Sequence, residues 1–117
     1  MINPLQSSLS ALTAFRKNLD VTANNIANVN TDEFKKSRVT FSEGDGGGVS
    51  AQVQQINTSG VPKEVIRGDE VVEVESSNVD LAEELTEMIP TETAYKANLK
   101  TIQTSGKMLG ALMDILG

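Results

Sequence analysis

The chain has 117 residues, with 10 Lys and Arg against 16 Asp and Glu, no His, no Cys, no Trp, and four aromatics: Phe15, Phe34, Phe41 and Tyr95. This length suits one domain and leaves no room for a cofactor domain plus a substrate domain. The missing Cys and His exclude thiol nucleophiles, imidazole bases, and zinc or haem ligation through those side chains. A net charge of −6 argues against nucleic-acid binding. No apolar run could span a bilayer, and the N-terminus lacks the basic start and apolar block of a cleavable signal peptide.

The first predicted element is a helix that starts at Asn3 as N-cap with Pro4 at its first position, where a missing N–H is harmless. Leu5, Leu9, Leu12, Leu19, Ala23 and Ile26 follow steps of three and four, with Arg16 occupying one seam position beside Phe15. The stripe is narrow and polar residues flank it. The helix is predicted to stop near Asn28 to Thr31, because Asn24, Asn25, Asn28 and Asn30 favour caps and Asx-turns over continued helix.

Six of the nine glycines, Gly44, Gly46, Gly47, Gly48, Gly60 and Gly68, fall within 25 residues of the middle, and residues 43–75 carry −5 while 1–42 carry +2. Val39 and Phe41, then Val49, Ala51 and Val53, and later Val72 and Val74 alternate with period two, which predicts short strands. The turn signals are Gly44 to Gly48, Thr58 to Pro62 and Arg67 to Asp69. The glycine run lacks the Lys-Ser/Thr of a phosphate loop and reads as a flexible connection. Glu43, Asp45, Asp69 and Glu70 match no calcium-loop spacing and read as solvated surface.

The last segment carries the stronger helical signal. Steps of four and three from Leu81 give Leu81, Leu85, Met88, Glu92, Tyr95, Leu99, Ile102, Gly106, Leu109, Met113 and Leu116, a 3.5-residue repeat of the coiled-coil kind. Asp80 followed by Glu83 gives a capping-box pattern, with Ser77 and Asn78 as alternative caps. Pro90 predicts a kink or break near Met88 to Pro90. Glu83, Glu84 and Glu87 would serve a small carboxylate-dependent hydrolase as acid and base, but at a helix start such residues answer the dipole and keep the surface wet. The predicted fold class is α+β, with antiparallel N- and C-terminal coiled-coil helices and a small β-hairpin or three-stranded patch between them. Residues 1–31 form an N-terminal assembly helix and Asn-rich reversal, 32–76 a small β segment with a Gly-rich loop, and 77–117 a C-terminal assembly helix.

The run Leu19-Asp20-Val21-Thr22-Ala23-Asn24-Asn25-Ile26-Ala27-Asn28-Val29-Asn30-Thr31, followed by Phe34-Lys35, resembles the N-terminal signature of the bacterial flagellar rod and hook proteins. Ser77-Asn78-Val79-Asp80-Leu81-Ala82-Glu83-Glu84-Leu85, then Met88-Ile89, Thr93 to Asn98 and Met108-Leu109, looks like the C-terminal signature of the same family. Glu33 stands where that family usually has glycine before the aromatic, and Pro90 interrupts a helix usually continuous there.

The resemblance implies a structural subunit of the flagellar basal-body rod, most like a short proximal rod protein. Such a subunit assembles helically through its terminal helices into an axial, torque-transmitting tube. It implies partners among copies of itself and other rod or hook-basal-body proteins, passage through the flagellar export apparatus, and a place in the periplasmic rod. It implies no enzyme activity, cofactor, nucleic acid or membrane insertion. The assembly seam is then Leu5, Leu9, Leu12, Leu19 and Ile26 against Leu81, Leu85, Met88, Tyr95, Leu99, Ile102, Leu109, Met113 and Leu116. The alternative from the residues alone is a soluble helical-hairpin adaptor that binds a protein partner through its acidic face.

Overall fold

The computed structural model describes residues 3–117; the first two residues of the 1–31 segment lie outside the described residues. In chain order it has α1 (Pro4–Ala27), β1 (Ser37–Glu43), β2 (Val49–Gln55), β3 (Pro62–Arg67), β4 (Glu70–Glu75) and α2 (Leu81–Leu116). The extents are 80 × 24 × 21 Å and the radius of gyration is 20.8 Å, against about 13 Å for a compact chain of this length. The molecule is a shaft, and its two helices set the shape.

α1 begins where Asn3 accepts a 3.1 Å hydrogen bond from the Leu5 N–H, with Pro4 in the first turn. It ends at Ala27 because Asn28 caps it: the Asn28 N–H donates to the Asn24 and Asn25 carbonyls, and its side-chain amide donates to the Asn24 carbonyl at 2.9 Å. Thr31 then closes on Asn28 through both its N–H and its hydroxyl. The chain thus reverses within a few residues, through short-range polar bonds.

β1 and β2 pair antiparallel from Ser37↔Gln55 to Glu43↔Val49, and β3 and β4 from Pro62↔Glu75 to Arg67↔Glu70. These are two separate two-stranded sheets, four strands rather than the single hairpin or three-stranded patch expected. β3 escaped sequence reading because its Pro62-Lys63-Glu64-Val65-Ile66-Arg67 does not alternate, and two adjacent apolar residues necessarily face opposite sides. The two-residue Gly68-Asp69 loop, with Gly68 at φ +69°, is the tight connection that right-handed strand twist prefers. β1–β2 lies along α1, where Phe15 and Phe41 meet edge to face with ring centroids 5.4 Å apart.

α2 runs unbroken for 36 residues, about 54 Å. Asp80 caps it by accepting from the Ala82 and Glu83 N–H groups. Of the kink or break expected near Pro90, the break does not occur. The lost N–H and the clash with the preceding turn cost about 3 kcal/mol, but the helix is clamped on both sides of the proline. Arg38 holds Glu83 and Glu87 before it, and Asn18 donates to the Thr91 hydroxyl at 3.0 Å just after it. Among the described residues, no helix is long and apolar enough to cross a membrane.

α1 and α2 pack side by side and antiparallel, since Asn25 meets Glu84, Asn18 meets Thr91, and Leu5 lies near Leu109. The fully buried apolar side chains among the described residues are only Ala11, Ala14 and Val74. Most large apolar side chains of α2, and Leu9 of α1, remain at the surface, which is uncommon for a chain that folds alone.

Candidate functional site

Two asparagines build the joint between the helices and the strands. Asn25, 1% exposed, donates to the Ser37 carbonyl at 2.8 Å and accepts from the Ser37 N–H at 3.0 Å. Its primary amide presents the same donor and acceptor as a neighbouring strand, so it closes the open edge of β1. Its second N–H donates to the Glu84 carboxylate at 3.1 Å. Asn78 repeats the device: its oxygen accepts from the Lys36 N–H at 2.6 Å, and its amide donates to the Ile56 and Thr58 carbonyls. Ser10 and Lys17 of α1 close the outer edge of β2, by bonding the Val49 N–H and the Ala51 carbonyl.

Around these amides lies a charge cluster. Glu84 is 1% exposed, and its oxygen not bonded to Asn25 faces the Arg38 guanidinium at 3.8 Å. Arg38 also pairs with Glu83 and Glu87, and Lys36 reaches Glu83 at 2.7 Å. The hydrogen bond from Lys36, helped by the Arg38 charge, holds the Glu83 carboxyl below its ordinary value. The bond from Lys35 does the same for Glu75, with the Gly60 N–H assisting. This corrects the wet-surface reading for Glu84, which is buried; Glu83 and Glu87 stay exposed, as expected, but both are held by Arg38 of β1. For Glu83 it also replaces the return half of the capping box, because its carboxylate is spent on Lys36 and Arg38.

The remaining signature residues support the same joint. Asn24 receives the Asn28 bonds through its carbonyl, Ile26 accepts from the Val29 N–H, and Val79 donates to the Ser77 hydroxyl. Ala27 is the last helical residue and Asn30 is an exposed turn residue. Glu33 adopts φ +61° and donates its N–H to the Glu75 carbonyl at 2.8 Å. The left-handed backbone explains why a glycine suits this position.

Within one subunit, the expected leucine seam is not what joins the helices. The covered stripe of α1 is Ser8, Ala11, Phe15, Asn18, Thr22 and Asn25, and that of α2 is Glu84, Met88, Thr91, Tyr95, Asn98 and Ile102. On α1 this lies one residue to the side of the Leu5–Ile26 stripe. Met88, Tyr95 and Ile102 are shared with the predicted seam and half-buried, as are Leu5, Leu12, Leu19 and Ile26. Leu9, Leu81, Leu85, Leu99, Leu109, Met113 and Leu116 are exposed, from 40% at Leu99 to 80% at Leu116. Small and amide side chains make up the most deeply buried part of the α1 stripe, which the aliphatic count could not reveal. The 3–4 spacing of Ser8, Ala11, Thr22 and Asn25 was the available signal.

Leu5, Met108, Leu109 and Leu112 also line an apolar groove of about 380 Å³ where the start of α1 meets the far arm of α2. Among the described residues, no group of three or more Asp or Glu is arranged to hold a metal ion. What the described side chains do here is close strand edges and display an apolar surface.

Comparison with known proteins points the same way. Residues 5–35 match the family model described as flagella basal body rod protein, and residues 73–115 match that of the flagellar basal body rod FlgEFG protein C-terminal region. Together these matches take in nearly all of both helices, the reversal, and the helix side of the joint, Asn25, Asn78, Glu83, Glu84 and Glu87. The chain belongs to the flagellar basal-body rod and hook protein family. It is 28% identical to the flagellar basal-body rod protein FlgC of Borreliella burgdorferi, over 99% of this chain and 97% of that protein. It is 56% identical to the rod protein FlgG of Bacillus subtilis over 37% of this chain but only 16% of that protein. It is 35% identical to the flagellar hook protein FlgE of Treponema pallidum, over 69% of this chain and 16% of the relative. The chain thus spans nearly all of a short rod protein and a minor part of the longer ones.

Proposed function

We propose that this chain is a structural subunit of the flagellar basal-body rod, one that builds the axial tube by helical self-assembly and by contact with other rod or hook-basal-body proteins. The carrying observation is the unpartnered apolar stripe Leu9, Leu81, Leu85, Leu99, Leu109, Met113 and Leu116 on a rigid antiparallel helix pair. A surface this apolar needs cover, and neighbouring subunits supply it. Long helices packed axially resist bending, and a heterologous contact that does not close into a ring generates an open filament. The end-to-end match to the FlgC relative supports a short rod subunit without a large inserted domain. The place of work is then the basal-body rod, reached through the flagellar export apparatus. The role is mechanical and involves no catalytic step. Under this reading residues 1–31 and 77–117 are the assembly helices, and 32–76 supply lateral contacts.

Leu99→Asp, which puts a charge on the exposed stripe without opening the buried joint, is expected to abolish swimming and rod assembly while the secreted amount of the protein stays unchanged. Normal motility in that strain would overturn the seam. Electron microscopy of basal bodies from a gene-deletion strain tests the rod reading itself: rods of normal length and subunit content would refute it. The soluble-adaptor alternative predicts such intact rods and a permanently monomeric chain.

A further inference from the structure

The hairpin β3–β4 is the one element that packs on no other among the described residues. It is held at its base alone, by the Glu33 N–H on the Glu75 carbonyl and by the Lys35–Glu75 and Lys63–Asp32 ion pairs. Its two faces differ. Val65, Val72 and Val74 share one face, on which Val74 is buried. Ile66 and Val71 sit opposite each other on the other face, 74% and 63% exposed, with Glu64 directly opposite Glu73 beside them.

The Ser76 N–H donates to the Val61 carbonyl, which fixes the phase of the ladder and makes Glu64–Glu73 a non-hydrogen-bonded pair, the kind with the closer side chains. Like charges directly opposite are destabilising. No Lys or Arg among the described residues forms an ion pair with either carboxylate. An apolar pair with a pair of unbridged acids on one side of it is half of an interface.

The complementary half lies on α2. Leu99 is 40% exposed, between Lys96, whose one ion pair is with Glu92 on its own helix, and Lys100, which makes none among the described residues. Lys96 and Lys100 stand about 6 Å apart along the helix axis, and Glu64 and Glu73, directly opposite across the ladder, about 5 Å apart, so the two charge pairs have similar spacings. Within one subunit the two cannot meet. The hairpin leaves the joint just before Asp80, while Leu99 lies about 28 Å further along α2 and the hairpin makes no packing contact with that helix.

We propose that the Glu64–Ile66–Val71–Glu73 face of one copy docks on the Lys96–Leu99–Lys100 face of α2 in a second copy displaced along the long axis. This contact is heterologous, so repeating it extends a filament. The inference deepens the rod reading and rests on it, naming what covers the Leu99 stretch of the exposed apolar stripe.

Because the chain has no cysteine, paired substitutions report the contact directly. Full-length chains carrying Glu73→Cys or Lys100→Cys alone are mixed, and the double variant is expressed in a strain deleted for the gene. A heterologous contact predicts a dimer on oxidation of the mixture, no dimer from either single variant, and a ladder of multimers of this chain in swimming cells of the double variant. Glu73→Cys with Asp20→Cys is the control and should give no ladder. Glu64→Lys with Glu73→Lys should lower the assembled fraction at least about tenfold, and adding Lys96→Glu with Lys100→Glu should restore most of it, as charge reversal across a true contact does.

Swimming cells without a ladder would overturn this docking and leave the rod reading intact. Cross-links to a different protein would overturn the choice of a second copy. Normal rods in the deletion strain would instead remove the rod reading, and this contact with it.

Discussion

Asn25 carries more of the fold than any leucine in the same helix. Its amide satisfies the Ser37 N–H, the Ser37 carbonyl and one Glu84 oxygen at once, with 1% of its surface exposed. Asn25→Ala leaves all three without partners in a site closed to water, and a buried unpaired polar group costs about 1–3 kcal/mol. The variant should therefore lose about 2–4 kcal/mol, read as a lower urea midpoint with an unchanged slope, and a loss under half a kcal/mol would show that water replaces the amide. Glu33 is the opposite case. At φ +61° its side chain works against the backbone, and Glu33→Gly keeps the N–H bond to Glu75 while removing the steric penalty. A gain of about 0.5–1 kcal/mol is expected, measured as a rise in melting temperature; a fall would mean the greater freedom of glycine in the unfolded chain dominates.

At the level of elements, the helices owe their ends to local polar chemistry and their continuity to their neighbours. Asn3, Asn28 and Asp80 cap where their side chains predict. The survival of α2 through Pro90 depends on clamps from α1 and β1, which are far away in sequence. The second hairpin hangs on one close backbone approach: a Cβ on Gly60 would lie 1.9 Å from the Ser76 carbonyl oxygen. Gly60→Ala is expected to unseat the base of β3–β4, at a cost of about 2 kcal/mol or more. Amide exchange should rise at Ser76, whose N–H bonds the adjacent Val61 carbonyl, while the Asn25 joint keeps its protection.

For the molecule as a whole, acid should loosen the joint before it melts the helices. Glu83 and Glu75 are held below their ordinary value near 4.5 by Lys36 and Lys35. The folded chain therefore binds fewer protons than the unfolded one through that range. Their contribution is complete above the unfolded value and is lost as the pH falls through 4.5 and then through the lowered folded values. Urea midpoints at pH 7 and pH 3.5 should differ, and Glu83→Gln should shrink the difference. An equal difference in the variant would assign the acid sensitivity elsewhere. The 80 Å length and bare apolar stripe also make stability inseparable from concentration, as in any chain completed by its neighbours.

The sequence by itself determined the class, both helices, their caps, the reversal at Asn28 and the family, because each is written in short-range pattern: heptad spacing, Asn and Asp at ends, glycine between strands. It did not determine which helix face turns inward. Two stripes of 3–4 spacing run side by side on α1, one of leucines and one of Ser8, Ala11, Thr22 and Asn25, and aliphatic content favours the first. Only the tertiary structure chose the second, because small residues permit close helix approach and the Asn25 amide and Glu84 carboxylate find partners there. That choice leaves the α1 leucine stripe half-covered, and leaves Leu9 and most leucines of α2 outside, on the surface that another subunit would cover.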